Sequence, residues 1–332
     1  MDAIIGMFLF YLIIYIVGFT LGAFGGMFSE CSGIINIALE GCMVIGTFAG
    51  IIFKYVIITA FPTAWLCSSY MGLQLLMVLS AIVAIIAGIL YSYLLSFVSI
   101  KLKANQTIVG TAMNTLATAI CAILNTVLRH IDSAEVINSF PVPNPFTGVP
   151  FLSNLLGKMH LGLLVGIAAI VICWLAMNRT RFGLRLRACG ENPLAAASVG
   201  VNVNRMRYTG TAIGSACAAL GGFVIFSSTS LSTNWVISAL GYGFLVLAIE
   251  IFGNWKAKNI FFASIFFAFF FAFAPTFTSA INLIPNRPNN IFTSKYFYYM
   301  LPYLLAFLTL VVFSKKSHCP KAEGIPYDKS TR

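Results

Sequence analysis

Charge is what this sequence has least of: 9% of its 332 residues are Asp, Glu, Lys or Arg, against roughly 25% in a soluble domain. Acidic groups are scarcest, nine against twenty basic, and histidine occurs only at 130, 160 and 318. Several motifs are missing as well. No G-x-x-x-x-G-K-[ST] run is present, so the chain has no phosphate cradle of its own and is not the ATPase of a pump. Without H-E-x-x-H it lacks the helix signature of a zinc protease, and without G-x-S-x-G it lacks a hydrolase nucleophile elbow. The eight cysteines (31, 42, 67, 121, 173, 189, 217, 319) form no C-x-x-C pair and lie mostly in apolar segments, where they read as small core residues. Enzyme readings keep little support, and no catalytic residue, metal ligand or cofactor is assigned to this chain.

Period-2 alternation is absent too, which excludes a membrane barrel. What is present is 59% apolar residues, a mean hydropathy of +0.92 and repeated runs near the ~20 residues a helix needs to cross a bilayer. The fold expected is all-α: a polytopic transmembrane bundle of about nine spans (eight to ten), forming a single domain over 1–332. The spans are read at 4–26, 33–57, 71–98, 107–128, 161–178, 209–228, 235–253, 259–280 and 298–314. The first run is too long for a signal-peptide core and lacks a small-x-small cleavage site.

The net charge of +11 lies in short connectors and not on one soluble face, so it reads as a topology signal and implies no nucleic-acid partner. Fifteen of the twenty basic residues fall on one side if the N-terminus is outside and the C-terminus inside. The positive-inside rule selects that orientation for a multi-pass cell-membrane protein, with 315–332 as a solvated cytoplasmic tail.

Polar groups inside apolar runs are expensive and mark candidate sites. Asn36 and Glu40, four apart in a predicted helix, share one face. That face either lines a solute path or bonds between helices. Gln106, Asn114 and Asn125 bring amides into the fourth span, where they either join helices or offer neutral donors and acceptors to a hydroxyl-rich or heterocyclic solute. Glu250, near the inner end of the seventh span, is expected to snorkel toward the interface. Gly18, Gly22, Gly26, Gly46 and Gly50 allow close helix approach. The Phe-rich eighth span reads as bulk, with Pro275 as a kink or its outer end, and the proline-dense connector 129–160 as a spacer or a ledge for an external partner.

The connector 179–207 is longer than topology requires and contains a helix start. Asn192 is an N-cap, Pro193 suits the first position, Glu191 favours the positive end of the dipole, Ala195 to Ala197 propagate, and Gly200 stops the helix. Such a helix either docks into a soluble partner or rests on anionic headgroups.

Four segments in order resemble the permease subunits of the branched-chain amino acid, ribose and nucleoside superfamily of ABC importers. They are MFSECSGIINIALEGCMVIGTFAG (27–50), ANQTIVGTAMNTLA (104–117), TRFGLRLRACGENPLAAASVGVNVNRMRY (180–208) and GYGFLVLAIEIFGNW (241–255). The first resembles the family's element in which a Ser-Glu-x-x-Gly turn leads to an Asn-x-x-x-Glu-Gly helix, and the Asn-x-x-x-Glu-Gly form resembles the nucleoside and simple-sugar branch. The resemblance implies import of a nucleoside or simple sugar by alternating access, past Asn36, Glu40, Gln106 and Asn114. It implies a coupling helix carried by Glu191, Asn192, Pro193, Ala195, Ala196 and Gly200. Its implied partners are cytoplasmic ATPase subunits that hold ATP and magnesium, an extracytoplasmic solute-binding lipoprotein, and a second permease chain, identical or related. Glu250 and the Lys256-Ala257-Lys258 run depart from the family pattern. The alternatives are a secondary transporter using Glu40 and Glu250, or a permease for branched-chain amino acids.

Overall fold

Twelve helices and no strand make up the regular structure in a computed structural model that describes residues 2–131, 159–229, 241–282, 295–313 and 318–328. In chain order they are α1 (Asp2–Glu30), α2 (Leu39–Ala60), α3 (Trp65–Ser68), α4 (Tyr70–Ile100), α5 (Gln106–Ile131), α6 (Leu161–Arg179), α7 (Arg181–Glu191), α8 (Pro193–Ser198), α9 (Val203–Ser228), α10 (Tyr242–Gly253), α11 (Ala257–Asn282) and α12 (Lys295–Phe313). Each of the nine expected spans has its helix. Seven are long and apolar enough to cross a membrane among the described residues, and α12 occupies the ninth expected span. The exception is α10, whose 12 residues reach only about 18 Å. The proline-dense stretch, 132–158, lies outside the described residues.

The glycines explain why α1 is the hub. In lipid, helices gain little from hydrophobicity against one another and associate where small residues let backbones meet. A Cβ on Gly18 would meet Ile225 and the Gly221 carbonyl, and one on Gly25 would meet the Gly214 carbonyl, so α1 and α9 pass antiparallel at van der Waals contact. Gly22 meets Val246 and Gly26 meets Glu250, so α10 runs parallel to α1 on another side. Gly46 packs on Ala219, and Gly50 on Phe223 and the Ser80 carbonyl, which fits α2 between α9 and α4. The packing role of these glycines is thereby shown.

Aromatics fill the remaining core. The ring of Tyr242, at the start of α10, is enclosed by Tyr15, Phe19, Phe226 and Phe271 with centroids 5.6–6.3 Å away. The Phe-rich α11 divides its rings: Phe267 and Phe271 are buried, while Phe262, Phe269 and Phe273 face outward. It runs on through Pro275 to Asn282. Six cysteines are buried, Cys67 is half-buried and Cys319 is exposed, all unbridged.

One end of the bundle carries α7, α8 and the turns at Lys101–Lys103 and Asn254–Lys256, and is the basic end. Residues 318–328 lie on it, held by backbone bonds such as Ala322 N–H to the Gly190 carbonyl (2.8 Å). The expectation of a solvated tail is therefore corrected for this stretch: its backbone finds partners in the Gly190 carbonyl at the end of α7 and the Gly33 carbonyl in the turn after α1.

Candidate functional site

The signature stretch 27–50 is not one helix. Helix α1 ends at Glu30, a turn follows in which Gly33 N–H bonds the Glu30 carbonyl (2.9 Å) at a φ of 94°, and α2 starts only at Leu39. Only glycine takes that φ without strain. The reading of Asn36 and Glu40 as neighbours on one helical face is corrected accordingly. Asn36 lies in the break, fully buried, and donates from Nδ2 to Ser29 Oγ (3.0 Å). Glu40 lies in the first turn of α2, half-buried.

A buried break leaves backbone groups without helical partners, and these must be satisfied. The amides of α5 do this. Gln106 Oε1 accepts from Ile35 N–H (2.7 Å), Asn114 Oδ1 accepts from Gly41 N–H (2.8 Å), and Asn114 Nδ2 donates to the Ile37 carbonyl (2.9 Å). Asn36, Gln106 and Asn114 are thus gathered around the break and hold it, while Asn36 Oδ1 and Gln106 Nε2 stay without a partner among the described residues. Glu40 differs. Its Oε1 accepts the Gly241 N–H at 3.2 Å, and its Oε2 has no hydrogen-bond partner among the described residues.

Glu40 sits where two helices begin. It occupies the first turn of α2 and faces the N-terminus of α10, where a Cβ on Gly243 would overlap its backbone. The positive ends of both helix dipoles favour a carboxylate there. The Tyr303 ring lies 3.7 Å from the Cβ position of Gly241. Since α10 ends at the basic-end turn, ten residues beyond Gly243, Glu40 lies about 15 Å above that turn, near half of a ~30 Å hydrocarbon layer. Helices broken near mid-membrane, with N-termini facing one polar group, are the arrangement transporters use for solute sites.

Sequence reading passed over a second feature, a threonine row on α5. Thr107, Thr111, Thr115 and Thr118 are exposed and follow Asn114 around one side of the helix, each of the last three hydroxyls returning to its own backbone four residues earlier. Beside them Ile108, Leu116, Ile123 and Val127 are exposed. The three-to-four spacing was the legible signal.

A second acidic locus lies nearer the basic end. Glu30 Oε2 accepts from Trp255 Nε1 (2.6 Å), and the Glu250 carboxyl faces that of Glu30. Glu250 is fully buried, which corrects the expectation that it snorkels. The space at Gly26 draws it inward.

The 179–207 connector folds as its sequence signals. Asn192 Oδ1 caps α8 by accepting from Ala195 N–H (3.0 Å), Pro193 is its first residue, and Gly200 leaves it at a φ of 84°. Glu191 ends α7, exposed. Ala196 turns inward onto Cys189 and Val203, whereas Leu194, Ala195, Ser198 and Val199 face out.

Comparison with known proteins accords with this arrangement. A family model described as branched-chain amino acid transport system, permease component, matches residues 8–310. The guanosine ABC transporter permease protein NupQ of Bacillus subtilis is 33% identical over 330 residues, covering 96% of each chain. The nucleoside ABC transporter permease protein NupC of Lactococcus lactis is 32% identical with the same coverage. A second guanosine permease protein of Bacillus subtilis, NupP, is 25% identical over 70% of this chain and 64% of its own. No solved structure matches. The chain is a multi-pass membrane protein and belongs to the branched-chain amino acid transport system permease family.

Proposed function

We propose that the chain is the membrane-spanning permease subunit of an ABC importer for nucleosides, working by alternating access. The observation that carries this reading is Glu40: a half-buried carboxylate at mid-depth, at the start of α2 and facing the start of α10, with Oε2 unengaged among the described residues. A single carboxylate suits a polar, uncharged solute, because it accepts hydrogen bonds from ribose hydroxyls or base N–H groups. Two full-length relatives named for guanosine and nucleoside transport support this class over sugars and branched-chain amino acids.

The basic end is cytoplasmic in this reading, by the positive-inside rule. The outward face of α8 and its C-cap, with Leu194 and Val199 exposed, docks on an ATPase that holds ATP and magnesium. A lipoprotein delivers solute from outside. The α5 row of Thr107, Thr111, Thr115 and Thr118 borders a path completed by a second, related permease, as the two Bacillus guanosine permeases suggest for their own system. In the path, Glu40 touches solute while Asn36, Gln106 and Asn114 hold the break that positions it.

Reconstitution with candidate ATPase, lipoprotein and second permease, followed by uptake of labelled guanosine, tests the assignment. Uptake that requires ATP and all partners is expected. Uptake that persists without the ATPase would replace this reading with a secondary transporter.

A further inference from the structure

Residues 318–328 touch the basic end at five separate places. His318 N–H bonds Asn254 Oδ1 (2.8 Å) in the α10–α11 turn. Ala322 N–H bonds the Gly190 carbonyl (2.8 Å) at the end of α7, and Gly324 N–H bonds the Gly33 carbonyl (3.3 Å) in the α1–α2 break. The Ile325 carbonyl accepts from Nη2 of Arg207 on α9 (2.9 Å), and Asp328 pairs with Lys103 (2.6 Å) in the α4–α5 turn. Tyr327 packs over the small cluster of Cys189, Ala196 and Val203 that supports α8. One short segment thus joins the element beneath α8 to the break that positions Glu40.

We propose that residues 318–328 form a releasable strap which, docked, ties α7, the α1–α2 break and α9 into one inner layer, and which lifts when the inner end of the bundle opens. The anchors suit release. Two are single backbone–backbone bonds, two join one backbone group to one side chain, and the Lys103–Asp328 pair is exposed and so weak. The seat is also imperfectly satisfied. Arg207, 1% exposed, keeps Nε without a partner among the described residues, and so does the buried Oε2 of Glu323. Native structures rarely leave such groups unpaired without a reason, and a seat that must be vacated supplies one. Glu323 is moreover brought toward the buried carboxyls of Glu30 and Glu250, a like-charge neighbourhood that opposes permanent docking.

The cycle in which the strap lifts rests on the transport reading above, and the test separates the two. Cys189 is buried in the cluster against which Tyr327 packs together with Ala197, Val201 and Met206, so its accessibility is expected to rise when the strap lifts. In inverted vesicles carrying the assembled transporter, with Cys189 the sole cysteine retained, labelling by N-ethylmaleimide is expected to run at least fivefold faster during ATP turnover than without ATP. In a second chain, with Cys319→Ser, Lys103→Cys and Asp328→Cys, a reducible cross-link between the two new thiols is expected to lower uptake at least tenfold and to release it on reduction. Equal protection of Cys189 with and without turnover overturns the strap, as does full uptake by the cross-linked chain. If the uncross-linked chain moves no nucleoside, the substrate reading falls, and the labelling, which needs the assembled ATPase and ATP but no nucleoside, still decides the strap.

Discussion

Glu250 Oε2 occupies the space that the missing side chain of Gly26 leaves on α1. A methyl group at Gly26 would have to displace a fully buried carboxyl that has the Glu30 carboxyl as its neighbour. Overpacking of this kind costs ~1–3 kcal/mol. Gly26→Ala is expected to lower the thermal midpoint of the purified chain, and Glu250→Ala to restore much of the loss when combined with it. A double-mutant coupling above about 1 kcal/mol is the expected sign of direct contact, and one below about 0.3 kcal/mol means the two residues do not compete for the space.

Asn114 is the tie between α5 and the break. Its amide serves both the Gly41 N–H and the Ile37 carbonyl, so Asn114→Ala strands two part-buried backbone groups, at ~1–3 kcal/mol for each one left unpaired. Thr115, one residue on, is exposed and bonds only its own helix. Thr115→Ala is expected within about 0.5 kcal/mol of the native chain. Similar thermal midpoints for the two variants would remove Asn114 from the support of the break.

The contrast between these neighbours shows what was legible in sequence. Span number, the α8 cap at Asn192 and the small-residue faces follow from local rules, because each rests on residues within a few positions of one another. The break at 31–38 was legible only through the family resemblance, whose Ser-Glu-x-x-Gly turn falls on Ser29 to Gly33 where α1 ends. Isoleucines at 34, 35 and 37 blur the edges of the break, and what stabilises it is Gln106 and Asn114, seventy and more positions away. Glu250 misled for a related reason: nearness to the helix end favours snorkelling, but the vacancy at Gly26 overrides it. The seat of 318–328 depends on carbonyls at Gly33 and Gly190, which no pattern in the tail itself announces.

On α8, exposure separates coupling from folding. Val199 is 78% exposed while Ala196 is 3% exposed and packs on Cys189. Val199→Glu is expected to leave chain level and thermal midpoint unchanged while ATP hydrolysis by the assembled complex proceeds with at least tenfold less uptake. Ala196→Glu places a charge among Cys189 and Val203, and is expected to reduce the amount of folded chain. Normal coupled uptake by Val199→Glu would move the ATPase contact away from this face.

Glu40 has two possible duties that substitution separates. Glutamine keeps an oxygen for the Gly241 N–H and removes the charge, whereas alanine removes both. If the carboxylate binds solute, Glu40→Gln loses uptake at least tenfold, as Glu40→Ala does, with the thermal midpoint little changed. If it serves only to place α10, Glu40→Gln transports at the native rate and only Glu40→Ala fails. The first outcome is expected, because Oε2 is the oxygen with no structural duty among the described residues.

Docking of the 318–328 strap is expected to depend on pH through Glu323. Burial, and then the nearby Glu30 carboxyl, push the Glu323 carboxyl up from an ordinary 4.5 to about 8. The groups facing it are Glu30, Glu250, Cys31 and Cys319. A raised carboxyl means that the docked state holds a proton which the lifted state releases. The docking contribution is therefore fully present below about pH 4.5 and is lost as pH rises through about 8. Cytoplasmic pH falls inside that window, on the sloping part of the curve. Cys189 labelling, taken at each pH as a ratio to an Ala322→Pro chain whose strap lacks the N–H for Gly190, is expected to climb between about pH 6 and 8.5. Glu323→Gln has no proton to release and is expected to flatten the climb. A native ratio that stays constant over that range, or an equal climb in Glu323→Gln, would show that a different group sets the strap's hold.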